Sequence, residues 1–159
     1  MTAQDALGPV DTAFLFVEKP ETPMNIGAIT TFEGDIDFDS IVELIDSRLH
    51  EAPLYQKKVI QSPLNVGQPY WAFDPEFHIR NHIFHRQLDS PGSDAQLQAM
   101  LGELISQCLD RSKPLWEIYV ISGLAENRTG VFFKVHHCMV DGLSAVELFT
   151  MLLDFTPDV

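Results

Sequence analysis

His136-His137-Cys138-Met139-Val140-Asp141-Gly142 joins a strand-like stretch, residues 130–137, to an apolar helical pattern that begins Leu143-Ser144-Ala145-Val146-Glu147-Leu148-Phe149. Successive side chains of a strand alternate faces, so the two imidazoles are expected to look in opposite directions. Only one of them can present a ring nitrogen to a given cavity. A histidine held at a strand-to-helix corner suits a general base, because imidazole titrates near neutral pH. Asp141-Gly142 makes the turn, and Gly142 permits a tight corner with close approach of a substrate to the backbone. The blander reading is a packed core histidine. A shared metal fits less well, because adjacent strand histidines cannot both ligate one ion and no third ligand sits at a zinc spacing.

Around this corner the pattern alternates short strands with helices. Residues 116–124 and 130–137 are two apolar runs with Glu126-Asn127-Arg128 between them, as expected of a hairpin in the middle of a covered sheet. Pro114 and Trp116 lead into the first run and read as packing devices. Upstream, Ser93 and Gln96 form a capping box ahead of Leu97, Met100, Leu101, Leu104, Ile105, Cys108 and Leu109 at helical spacing. Strands are expected near 24–32, 56–61, 69–73 and 82–88. A helix is expected over 40–50, capped by Ser40 and Glu43, with Ile41, Leu44, Ile45 and Leu49 inward. The opening, residues 8–23, reads as turn-rich with an exposed apolar patch at Ala13-Phe14-Leu15-Phe16-Val17. The closing helix, 143–155, is apolar nearly all round, which marks it as buried on more than one side. His78, His82 and His85 would make a zinc face on a helix, but Pro75 and their apolar neighbours argue for extended structure, where they diverge.

The bulk properties narrow the function. At 159 residues the chain fits one domain, 1–159, and can bury a core. A net charge of −13 disfavours nucleic acid and anionic membrane surfaces. Contact with a membrane or lipid droplet would have to be peripheral and apolar. No run approaches the ~20 apolar residues of a membrane span, and Met1-Thr2-Ala3-Gln4-Asp5 is unlike a signal peptide. Cys108 and Cys138 are expected as reduced core residues of a cytoplasmic protein.

H-H-x-x-x-D-G at 136–142 resembles the motif of the CoA-dependent acyltransferase superfamily. Leu109-Asp110-Arg111-Ser112-Lys113-Pro114-Leu115-Trp116-Glu117 looks like the L-D-R-S-[RK]-P-L-W-E signature of bacterial wax ester synthase/diacylglycerol acyltransferases. Val10-Asp11-Thr12-Ala13-Phe14-Leu15, followed by Glu21-Thr22-Pro23-Met24-Asn25-Ile26-Gly27, is similar to that family's opening. Phe77-His78-Ile79-Arg80 resembles its H-x-R stretch. Asn25 and Thr12 depart from the usual His and Ala. Family members continue through a second half of comparable fold, so the chain resembles the N-terminal half.

The resemblance implies an α+β fold of the chloramphenicol acetyltransferase type, a mixed β-sheet covered by helices. It implies transfer of a fatty acyl group from acyl-CoA, a co-substrate rather than a bound cofactor, to diacylglycerol or a long-chain alcohol. His137 would be the general base and His136 would set the backbone geometry. Asp141 would either orient His137 or make a structural ion pair, the second being favoured because the family's Asp points to an Arg. Cys138, expected opposite His137, would not be a nucleophile. Lys57-Lys58, Arg80, Arg86, Arg111 and Lys113 are scattered, so the site for the coenzyme A phosphates is expected in a C-terminal half; a homodimer is expected to cover the apolar surface of the lone half, with little or no acyl transfer. The alternatives are a condensation-type acyltransferase and a non-catalytic half-domain that binds acyl chains or a partner.

Overall fold

A computed structural model describes residues 6–61 and 67–140. In chain order the elements are α1 (Pro9–Val17), β1 (Asn25–Glu33), α2 (Phe38–Arg48), β2 (Lys57–Ile60), β3 (Tyr70–Phe73), β4 (Ile83–Gln87), α3 (Asp94–Ile105), β5 (Trp116–Leu124) and β6 (Arg128–His136). Four strands form one mixed sheet in the order β1-β6-β5-β4, and β2 pairs with β3 in a separate ribbon. β6 is antiparallel to both neighbours, while β4 runs parallel to β5. That parallel pair needs a crossover, and α3 supplies it. The mixed sheet with its covering helices is the α+β architecture expected above.

Local chemistry explains most of these elements. At α3 the capping box is complete: the Gln96 N–H donates to the Ser93 hydroxyl and the Ser93 N–H donates to the Gln96 side chain. Glu126 and Asn127 adopt left-handed backbone at the β5–β6 turn, which closes the hairpin with the twist that antiparallel strands require. Gly123 sits at an irregularity of β5 with φ 78°, and a Cβ there would fall 2.6 Å from the Leu88 carbonyl oxygen. Only glycine fits.

The two faces of the sheet carry separate cores. Trp116, Ile118, Val120, Val131, Phe133 and Val135 meet Ile41, Val42 and Ile45 of α2 on one side. Tyr119, Ile121 and Phe132 meet Leu97 and Leu104 of α3 on the other. Both β5 and β6 are therefore covered twice, which is why they read as continuous apolar runs rather than alternating ones.

Four expectations need correction. The opening is not turn-rich but helical over Pro9–Val17, because Pro9 stands in the first helical turn, where its missing N–H costs nothing and its φ is preset. The apolar patch there is divided: Leu15 is buried, while Phe16 and Val17 are 56% and 51% exposed. α2 is capped by Asp37, whose carboxylate accepts the Ser40 N–H at 2.9 Å, so Ser40 and Glu43 do not form the cap. Finally, α3 ends at Ile105, so Cys108 lies past the stripe and is exposed, whereas Cys138 is buried. The expected helix 143–155 lies outside the described residues. Among those described, no helix is long and apolar enough to cross a membrane.

Candidate active site

β6 ends at His136, and its last ladder position opposes Asn25 at the start of β1. The chain then bends into one 3-10 turn, His137–Met139. The bend is capped locally: the Cys138 N–H donates to His136 Nδ1 at 3.1 Å. His137 thus opens a turn rather than continuing the strand. Strand alternation is therefore not what separates the two imidazoles, nor what places Cys138. The turn does both. His136 is fully buried, His137 is half-buried, and Cys138 enters the core. Burial pushes the Cys138 thiol up to about 12, so at neutral pH it is no thiolate nucleophile.

His137 is held from two directions. Its N–H donates to the Met24 carbonyl at 2.7 Å. Its ring lies against Phe14 of α1, with centroids 3.8 Å apart and planes 18° from parallel. Its Nδ1 is buried and has no hydrogen-bond partner among the described residues. Such an orphan is uncommon, because a buried polar atom left unpaired costs about 1–3 kcal/mol. Asp141 and Gly142 lie outside the described residues.

The His136 ring meets a charged group that the sequence reading passed over. With Nδ1 accepting from Cys138, the neutral ring carries its proton on Nε2, which lies 3.4 Å from Glu18 Oε1. Burial pushes the His136 pKa down, so the ring is neutral at pH 7. Glu18 follows the C-terminus of α1, and its side chain is only 3% exposed. Its Oε1 accepts the Met24 N–H at 3.0 Å, and its Oε2 accepts Arg111 Nη2 at 2.9 Å. Burial alone would raise its pKa, but the Met24 N–H and the Arg111 guanidinium outweigh that and hold the carboxyl below the usual range. Arg111 Nη2 also donates to the Leu15 carbonyl at 2.7 Å. Both residues stand in stretches that sequence reading marks, the opening and the L-D-R-S-K-P-L-W-E run. Neither stretch reveals that the two charges meet, because 93 residues separate them.

The other basic residues are dispersed. Lys58 pairs with Asp74, Arg80 with Asp39 and Lys113 with Asp110, and Arg86 lies over the Tyr119 ring. His78, His82 and His85 also go separate ways. His78 accepts the Arg80 N–H, His82 Nδ1 meets the Trp116 carbonyl at 2.9 Å, and His85 Nε2 meets Ser122 Oγ. Asn25 spends its amide on the end of α3, donating to the Ile105 and Gln107 carbonyls. Trp116 is buried, with Nε1 donating to the Tyr55 carbonyl at 2.7 Å, consistent with a packing role.

Comparison with known proteins places this geometry among relatives. The sequence model of the wax ester synthase/diacylglycerol acyltransferase catalytic domain matches residues 7–159. A probable diacylglycerol O-acyltransferase of Mycobacterium tuberculosis, tgs3, is 32% identical over 153 residues, covering 94% of this chain and 56% of its own length. A second from that organism, tgs1, is 33% identical over 151 residues, covering 93% and 33%. The solved wax ester synthase/diacylglycerol acyltransferase of Marinobacter aquaeolei VT8 superposes with a TM-score of 0.78 at 30% identity, over 97% of this chain and 39% of that one. The starter condensation domain of the rhizomide synthetase RzmA shares the fold alone, with a TM-score of 0.68 at 21% identity over 92% and 38%. The chain spans about half or less of the length of the relatives it matches.

Proposed function

Because the chain belongs to the wax ester synthase/diacylglycerol acyltransferase catalytic-domain family, we propose that it forms the histidine-bearing part of an acyltransferase. That enzyme would move a fatty acyl group from acyl-CoA to the hydroxyl of a diacylglycerol or a long-chain alcohol. The observation that carries this reading is the orphan Nδ1 of His137, buried beside the Phe14 ring. The half-buried ring sits at the edge of the core rather than inside it, and no described residue takes up its Nδ1.

In the step we envisage, the His137 imidazole takes the proton of the hydroxyl as its oxygen attacks the thioester carbonyl. The carbon–sulfur bond then breaks, and coenzyme A leaves as the thiol with the proton returned by the imidazolium. A positioned base of this kind supplies roughly 10²–10⁴-fold. The buried, protonated thiol of Cys138 has no part in it.

The wall that holds coenzyme A would come from a complementary C-terminal half. Most basic side chains here are already spent on acidic partners. The test is acyl transfer from labelled acyl-CoA to diacylglycerol and to a long-chain alcohol. It compares the chain alone, the chain mixed with the C-terminal half of a relative, and His137→Ala in both settings. Transfer in the mixture and its loss in His137→Ala are the expected results. Equal turnover by His137→Ala would refute the assignment of the base.

A further inference from the structure

We infer that Glu18 and Arg111 are positioning residues for His137, an inference that rests on His137 being the base. Every element that fixes His137 leads back to this pair. The backbone route runs through Met24: Glu18 Oε1 accepts the Met24 N–H at 3.0 Å, and the Met24 carbonyl accepts the His137 N–H at 2.7 Å. The side-chain route runs through α1. Phe14 packs flat on the His137 ring, and the last turn of α1 is tied down on both sides of the carboxylate. The Glu18 N–H donates to the Phe14 carbonyl at 3.2 Å, and Arg111 holds the Leu15 carbonyl and Glu18 Oε2 with the same nitrogen. A third route reaches the neighbouring residue, where Glu18 Oε1 faces His136 Nε2 while His136 Nδ1 caps the turn that His137 opens.

The arrangement is costlier than an anchor for α1 requires. A carboxylate 3% exposed must be compensated by close partners, and this one divides its two oxygens between different tasks. Oε2 takes the guanidinium, while Oε1 takes the Met24 N–H and faces the imidazole at 3.4 Å. If the pair served α1 alone, Oε1 would have no reason to face the histidine corner. Removing the charge of Glu18 should therefore loosen His137 through Phe14 and through the His136 cap, while the Met24 link is weakened rather than lost.

The test uses nitrogen and proton NMR of the imidazoles in the full chain, with thermal melting alongside. In Glu18→Gln the amide oxygen can still accept from Met24, but Arg111 and His136 lose their anion. The His136 ring signals should then shift as Nε2 loses the anion it faces, and the His137 ring protons should leave the shielding of Phe14. Arg111→Lys keeps the cation and carries the test where Glu18→Gln does not fold. An ammonium cannot match the fork of a guanidinium, so the same His137 shifts should follow at smaller amplitude. Asp74→Asn breaks an ion pair of similar burial elsewhere, with Lys58. It should lower the melting temperature and leave the His137 signals unchanged. Parental His137 and His136 signals in a folded Glu18→Gln or Arg111→Lys chain would overturn the inference.

In the assembled enzyme the displaced base should lower kcat by up to about 10²-fold, with KM unchanged. If His137→Ala transfers acyl groups as well as the parent while Glu18→Gln still shifts the His137 signals, the assignment of the base fails and the physical coupling stands. The two failures are thus told apart.

Discussion

His82 and His137 each lie flat against aromatic rings, and they differ in what their nitrogens meet. His82 is 2% exposed and stacks on Trp116 at 4.5 Å and on Phe77 at 5.2 Å, with Nδ1 hydrogen-bonded to the Trp116 carbonyl. Burial pushes its pKa down, which keeps it neutral inside the core. Among the described residues His137 stacks on Phe14 alone, and its half-buried ring has a buried Nδ1 that none of them pairs. Aromatic packing alone therefore does not tell these two histidines apart; what their ring nitrogens meet does.

The comparison breaks first under substitution of the two rings. His137→Ala should cut acyl transfer in the assembled enzyme by roughly 10²–10⁴-fold while the urea midpoint of the chain stays close to the parent's. His82→Ala should do the reverse. It opens a cavity between Phe77 and Trp116 and removes the partner of a buried carbonyl, at a cost of about 2–4 kcal/mol in unfolding free energy. Its losses of activity should track the unfolded fraction. A stable His82→Ala chain would show that His82 is not the packed member of the pair.

Acid sharpens the contrast further. His82 and His136 both have native pKa values below 6.5, mainly because burial disfavours the charged ring. As the pH falls below 6.5 the unfolded chain therefore takes up protons that the native one refuses. By linkage their stabilising contribution is present above about pH 6.5 and is lost as the pH falls towards the lowered native values. Melting temperature should drop with acidification through this window, and His82→Phe, which keeps a stacking ring and cannot titrate, should flatten the drop. A parental slope in His82→Phe would assign the acid sensitivity elsewhere.

The smallest effect expected is at Phe14. Replacing it with Leu keeps apolar contact but removes the stack on His137, worth about 0.5–1.5 kcal/mol beyond area burial. Melting should shift little, while the His137 ring signals move and kcat falls modestly. No change in those signals would show that Phe14 merely lies beside the base.

The hairpin, the crossover helix and its cap were legible in the sequence because each is written locally. Two apolar runs flank a turn, and Ser93 with Gln96 satisfies the end of a helix within four residues. The candidate base was legible too, through a motif contained in seven consecutive residues. Proline misled at the opening, where a signal for a break was equally a signal for a helix start. Cys108 misled at the end of α3, where periodicity outlasted the helix itself.

What no local pattern could state is how the corner is held. Glu18 and Met24, Arg111, and His136 come from three separate segments, and their charges and hydrogen bonds acquire meaning only once β1 pairs with β6 and α1 packs beside the turn. Sequence alone determined the types of element and the histidine that ends the strand, since these depend on neighbours along the chain. Tertiary structure alone decided which ring is satisfied, which is open and which carboxylate is buried. Burial and pairing are properties of neighbours in space, and here two of those neighbours, Glu18 and Arg111, lie 93 residues apart.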